Sequence, residues 1–80
     1  MKVSQFHVKN QFLIEGEGRT IFQSYNSIIA IKEAGKIYLD PNFWDYSKTT
    51  GKYRNLFLGE DKKETERKIK QGIYILKNLN

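Results

Sequence analysis

The apolar positions of this chain change period near its middle. Over residues 2–40 they recur at strand-like intervals, after Pro41 at helical ones, and at 73–79 the strand pattern returns. KVSQFHV (2–8) sets Phe6 and Val8 against Gln5 and His7, and QFLIE follows. EGEGR (15–19) brings two glycines and a break. Residues 20–33 are rich in β-branched and aromatic types, with Ile29 and Ile31 alternating against Ala30 and Lys32. Tyr25-Asn26-Ser27 marks a bulge or turn within them. EAGK (33–36) predicts a tight hairpin into KIYLD (36–40), because Gly35 supplies the positive φ such a turn needs.

Pro41 lacks the N–H a ladder requires and ends this segment. Beyond PNFW, Asp45 or Ser47 caps a helix over 46–58, with Tyr46, Tyr53, Leu56 and Phe57 close to one face and Gly59 as its stop. Thr49, Thr50 and Gly51 are poor helix formers, so this helix depends on its packing. Asp61-Lys62-Lys63-Glu64 has the form of a capping box, Glu64 reaching back to the cap of a second helix that ends at Gly72. Ile69 is that helix's one strong apolar residue, which places it at the surface. IYILKNL (73–79) predicts a returning strand inserted between others. The sum is one α+β domain over 1–80: a mainly antiparallel sheet of about four to five strands with two short helices on one face.

Composition narrows the function classes. Eighty residues hold no second domain, and without cysteine neither a disulfide nor a thiolate metal site staples them. Eleven aromatics supply the core instead. No apolar run reaches the roughly 20 residues of a membrane span. A cytoplasmic protein without membrane partners is the expectation. The net charge is +5, and all of the excess lies late in the chain. Residues 1–45 hold five basic and five acidic side chains, residues 46–80 nine and four. Such asymmetry attracts phosphates or an acidic protein surface.

DYSKTTGKYRN (45–55) contains TTGK, which resembles the end of a phosphate-binding loop. Spacing excludes that loop. Counting back from Gly51-Lys52, its first glycine falls on Tyr46, and the magnesium-binding hydroxyl falls on Tyr53. The same stretch offers two binding surfaces. Trp44, Tyr46, Lys48, Lys52, Tyr53 and Arg54 form a candidate protein interface, since Trp, Tyr and Arg dominate hot spots. Lys48, Thr49, Thr50, Lys52, Tyr53, Arg54, Lys62 and Lys63 form a candidate nucleic-acid surface, with hydroxyls and cations for phosphates and rings for bases. Against both stands the blander reading, favoured for the aromatics in a domain this small, in which they are core and the lysines a solvated face. His7 is the only histidine and has no second ligand at metal spacing, so no metal or cofactor is expected. No general acid–base pair stands out, and a non-enzyme is expected.

FQSYNSIIA (22–30), GKIYLD (35–40) and DYSKTTGKYRNLFL (45–58) together resemble a group of small uncharacterised domains encoded by phages and mobile elements of low-GC bacteria. That group shares an F-x-S-Y-x-(S/T)-x-I-A strand, a hairpin, and Y-S-x-T-T-x-(K/R)-(H/Y) leading a helix. Tyr53 stands here where histidine is common, so no histidine-dependent role carries over. The resemblance implies a phage setting and the general shape of the fold. In that setting a small non-enzyme acts by binding one host or phage macromolecule, as an anti-CRISPR or other anti-defence inhibitor does. The basic charge disfavours DNA mimicry. Direct nucleic-acid binding through helix 46–58 is the alternative, and homodimerisation through a sheet edge is a third.

Overall fold

In chain order the elements are β1 (Lys2–Gln5), β2 (Gln11–Gly16), β3 (Arg19–Ser24), β4 (Ser27–Glu33), β5 (Lys36–Leu39), α1 (Lys48–Leu58), α2 (Lys62–Lys70) and β6 (Tyr74–Leu76). They come from a computed structural model that describes residues 1–80. The strands form one mixed sheet in the order β1-β2-β3-β4-β5-β6. The first four pairings are antiparallel and β5–β6 is parallel, which requires the long crossover that the two helices supply.

The α+β class stands, and the details are corrected. There are six strands. The last is not inserted: it lies at the edge beside β5 and holds three residues. The first ends at Gln5, and Phe6–Asn10 form a loop in which His7 and Asn10 take positive φ. Glu17-Gly18 and Ala34-Gly35 both place two successive residues at positive φ, the signature of a type I′ hairpin that matches strand twist.

Register sets the core. Leu13, Phe22, Ala30, Leu39 and Leu76 lie across neighbouring strands on one face. Val3, Ile14, Ile21, Ile31, Tyr38 and Ile75 lie in register on the other. A bulge opposite Phe22-Gln23 breaks the alternation expected of β4, so Ile29 and its neighbour Ala30 both join the core. Tyr53 and Phe57 of α1 pack into the same cluster, and Ile69 of α2 packs against it. Three rings anchor α1 to the sheet. Phe22 meets Phe6 at 5.6 Å and Phe57 at 5.5 Å, and Phe6 meets Phe57 at 6.2 Å.

Both helices are capped as their sequences dictate. Ser47 accepts the Thr50 N–H, and Gly59 at φ 73° closes α1. Asp61 accepts the Glu64 N–H at 2.9 Å. The second half of the expected capping box does not form, because the Glu64 carboxylate turns to Arg67, one turn further on. Gly72, at positive φ, follows α2, and Ile73 N–H returns to the Lys68 carbonyl.

Two carboxylates lock the loops. Asp40, fully buried, accepts from the N–H groups of Asn42 (2.8 Å), Phe43 (3.2 Å) and Leu79 (2.8 Å), and from Asn80 Nδ2 (3.0 Å). Asn80 also pairs through its amide with both backbone groups of Ile28, at 2.7 and 2.9 Å. Glu60, between the helices, accepts from Thr65 (2.8 Å), Lys68 (2.7 Å) and the Tyr74 hydroxyl (2.7 Å), tying α2 and β6 to the interhelical turn. No helix is long and apolar enough to cross a membrane.

Candidate binding face at the start of α1

Burial divides the residues of 44–54. Arg54 is 1% exposed. Its Nη1 donates to the Trp44 carbonyl at 2.7 Å and, more weakly, to Asp45 Oδ1 at 3.3 Å; its Nη2 donates to Asn55 Oδ1 at 2.9 Å. The guanidinium also lies 5.1 Å from the Trp44 ring. It sits over Gly51, where a Cβ would meet it at 3.7 Å. Arg54 therefore joins the loop before α1 to the helix itself. Tyr53 is buried in the core, and Thr50 is buried against β3.

The expectation that Tyr53 and Arg54 face a partner is thus corrected. With helical spacing they fall on the sheet side of α1, where Phe57 is also buried, and the core takes them first. Tyr46 and Leu56, expected on that same side, are exposed. Tyr46 precedes the helix, so helical periodicity does not govern its direction. Trp44 is half-buried and packs against the core cluster.

Four residues of the expected surface remain exposed around the first turns of α1: Tyr46, which is 69% exposed, with Lys48, Thr49 and Lys52. Lys48 and Lys52 lie one turn apart and form no ion pair. Together with Ser47, Asp45 and Lys62 they line a groove of about 730 Å³. Lys62 binds Asp45 Oδ2 at 2.6 Å, which neutralises the one carboxylate there. Burial pushes the Asp45 carboxyl up, but hydrogen bonds and charge from Lys62 and Arg54 outweigh it and hold it below its ordinary value. The hydrogen bond to Asp45 in turn raises Lys62. Lys63 lies elsewhere, in a groove it shares with Asp61, Glu64 and Glu66. The structure does not bring it to Lys48 and Lys52.

Beside the basic groove lies a smaller hollow of about 300 Å³, lined by Ser24, Tyr25, Asn26, Ser27, Ile29, Phe43, Tyr46, Ser47 and Thr50. Ser47 lines both. The hollow joins the β3–β4 turn to the start of α1, two stretches about 20 residues apart in the chain. Sequence reading took Tyr25-Asn26 as punctuation and missed them as a wall. The signal was a large aromatic in a turn where glycine or asparagine is at ease.

No group of three or more His, Cys, Asp or Glu side chains is placed to hold a metal ion. His7 is exposed, with its ring 6.3 Å from that of Tyr53. Comparison with curated proteins and with solved structures gives no match. A family model does match, over residues 1–72, which take in β1–β5 and both helices and stop before β6. The chain belongs to that family, described as a family of unknown function (DUF8033).

Proposed function

We propose that this chain is a non-enzymatic binding module that engages a nucleic-acid strand at the amino-terminal face of α1. The observation that carries the reading is the exposed Tyr46 beside two lysines without ion pairs, Lys48 and Lys52, on a helix tied to the preceding loop by buried Arg54. A protein interface of the expected kind would use Trp44, Tyr53 and Arg54 as anchors, and these are spent on the fold itself. What is left at the surface is cation, hydroxyl and one ring, the set that meets phosphate and base. Resemblance to phage-borne domains supports an accessory protein working in the host cytoplasm.

The test is titration of labelled single-stranded and double-stranded oligonucleotides at two salt concentrations. Two phosphate contacts, one each at Lys48 and Lys52, give a log–log salt slope of about −1.4 on a single strand, or about sevenfold weaker binding from 50 to 200 mM salt. A flat salt response, or no binding at low salt, removes the reading.

A second reading keeps a host or phage protein as partner, in the manner of an anti-defence inhibitor. The exposure of Tyr46 favours it, since a protruding Tyr is a common anchor. It predicts a stoichiometric protein complex that Tyr46→Ala weakens and that nuclease treatment leaves intact.

A further inference from the structure

We infer that the hollow between the β3–β4 turn and the start of α1 is a site for one nucleobase. The inference rests on the reading of α1 as a nucleic-acid face and assigns the part of the ligand that face leaves undefined.

Size comes first. About 300 Å³ is the bottom of the range for ligand pockets, room for a single ring system and little else. Chemistry follows from the lining. No carboxylate, lysine, arginine or histidine reaches the hollow, so the group that enters is neutral. Two exposed rings line the hollow, Tyr25 at 53% and Tyr46 at 69%, the latter held at 5.5 Å from the Phe43 ring, and exposed rings of this kind stack on planar groups. Asn26 offers both a donor and an acceptor, as the edge of a base requires.

Hydroxyls line the hollow where α1 meets β3. Ser24 and Thr50 are 3% and 2% exposed. Ser47 Oγ donates to Thr50 Oγ1 at 3.2 Å, and Thr50 Oγ1 lies 3.1 Å from Ser24 Oγ. The three hydroxyls thus form one hydrogen-bonded chain along the lining of the hollow. Hydroxyls both donate and accept, which suits the carbonyls, ring nitrogens and amino groups of a base better than an apolar side chain of a protein partner.

The turn itself is built against its local preference. Tyr25 holds a φ of 54°, a conformation that a bulky side chain rarely adopts, and thereby presents its ring at the rim. Finally, Ser47 joins the hollow to the groove of Lys48 and Lys52. A neutral planar ring with a phosphate beside it is a nucleotide unit. A neutral sugar of the same size would leave both lysines unused.

That unit has two sources, a free mononucleotide or one residue of a strand. The experiment titrates the full chain with a 12-residue oligodeoxyadenylate, an abasic oligomer of the same length, and adenosine monophosphate. The oligomer carrying bases should bind at least about tenfold tighter than the abasic one. Tyr25→Gly and Tyr46→Ala should abolish that difference while leaving the salt slope unchanged. Tyr25→Gly relieves the positive φ, so loss of folding does not explain its effect. One-to-one binding of the mononucleotide with the same tyrosine dependence assigns the site to free nucleotide, and binding by the oligomer alone assigns it to a strand. Equal affinity for the abasic oligomer overturns the base site and leaves the polyanion face standing. No binding of any probe at low salt overturns both.

Discussion

Replacing Arg54 with methionine separates the fold from the binding face. Met keeps most of the apolar stem of Arg54, so the change removes mainly the guanidinium. Lost with it are the hydrogen bonds to the Trp44 carbonyl at 2.7 Å and to Asn55 at 2.9 Å, the longer contact to Asp45, and the cation–π contact with Trp44. Hydrogen bonds to a charged group contribute about 1.5–3 kcal/mol each. Two effects offset this. The variant no longer buries a charge, and it no longer buries Arg54 Nε, which has no partner. Asp45 keeps Lys62 and is partly exposed, so no carboxylate is stranded. The net cost is about 2–3 kcal/mol, which for a domain of this length lowers Tm by about 10–20 °C. Thermal and urea unfolding followed by circular dichroism measure that loss, and anisotropy with an oligonucleotide measures affinity below the transition. Affinity of the folded protein should stay within about twofold of wild type, since Arg54 has almost no surface to offer. Unchanged Tm together with lost binding would refute the reasoning and return Arg54 to the contact surface.

Three further outcomes follow from the same structure. Ala34→Asn should stabilise the β4–β5 hairpin by about 0.5–1 kcal/mol, read as a raised urea midpoint, because Ala34 sits at φ 51° where Asn is at ease. Asn80→Ala removes an amide that holds Ile28 and Asp40, and should cost about 1–2 kcal/mol while speeding hydrogen exchange at the Ile28 amide. Burial pushes Asp40, Asp45 and Glu60 up, but their hydrogen bonds outweigh it, and all three lie below their ordinary values of 3.8, 3.8 and 4.5. Groups lowered in this way stabilise the fold fully above those values and lose that contribution as pH falls through the folded ones. Tm should therefore be flat from neutrality to about pH 5 and drop below about pH 4, with Glu60→Gln flattening part of the drop.

Much of this was legible in the residues. Alternating apolar runs, the Gly35 turn, Ser47 or Asp45 ahead of α1, Gly59 behind it and Asp61 ahead of α2 all signal through local chemistry, and local chemistry decides those features. What escaped depends on tertiary partners. The β4 bulge that brings Ile29 to the core has no local mark; it answers the need of Phe22 and Ala30 to pair across strands. The edge placement of β6 follows from a crossover whose end no spacing rule fixes. Arg54 read as a surface cation because arginine usually is one. Its burial follows from the carbonyl that Trp44 and the loop before α1 turn toward it. Asp40 had a signal that went unread, since Asp-Pro-Asn is a turn-forming run in which the carboxylate caps the following N–H groups. The candidate face was half legible: Tyr46, Lys48 and Lys52 stood in the basic stretch, while Ser24, Tyr25 and Asn26 join them only through the fold.

The most direct test of the central claim is the affinity of the wild-type chain and of the Lys48→Glu/Lys52→Glu double variant for one single-stranded 12-mer, at 50 and 200 mM salt. Both lysines are exposed and unpaired, so the double variant should fold as the wild type does. The wild type should weaken by about sevenfold across that range, and the double variant should bind at least about tenfold more weakly at 50 mM salt and show no salt dependence. Equal binding by the two proteins, or the absence of binding by the wild type at 50 mM, would contradict the assignment of this face to a nucleic-acid strand.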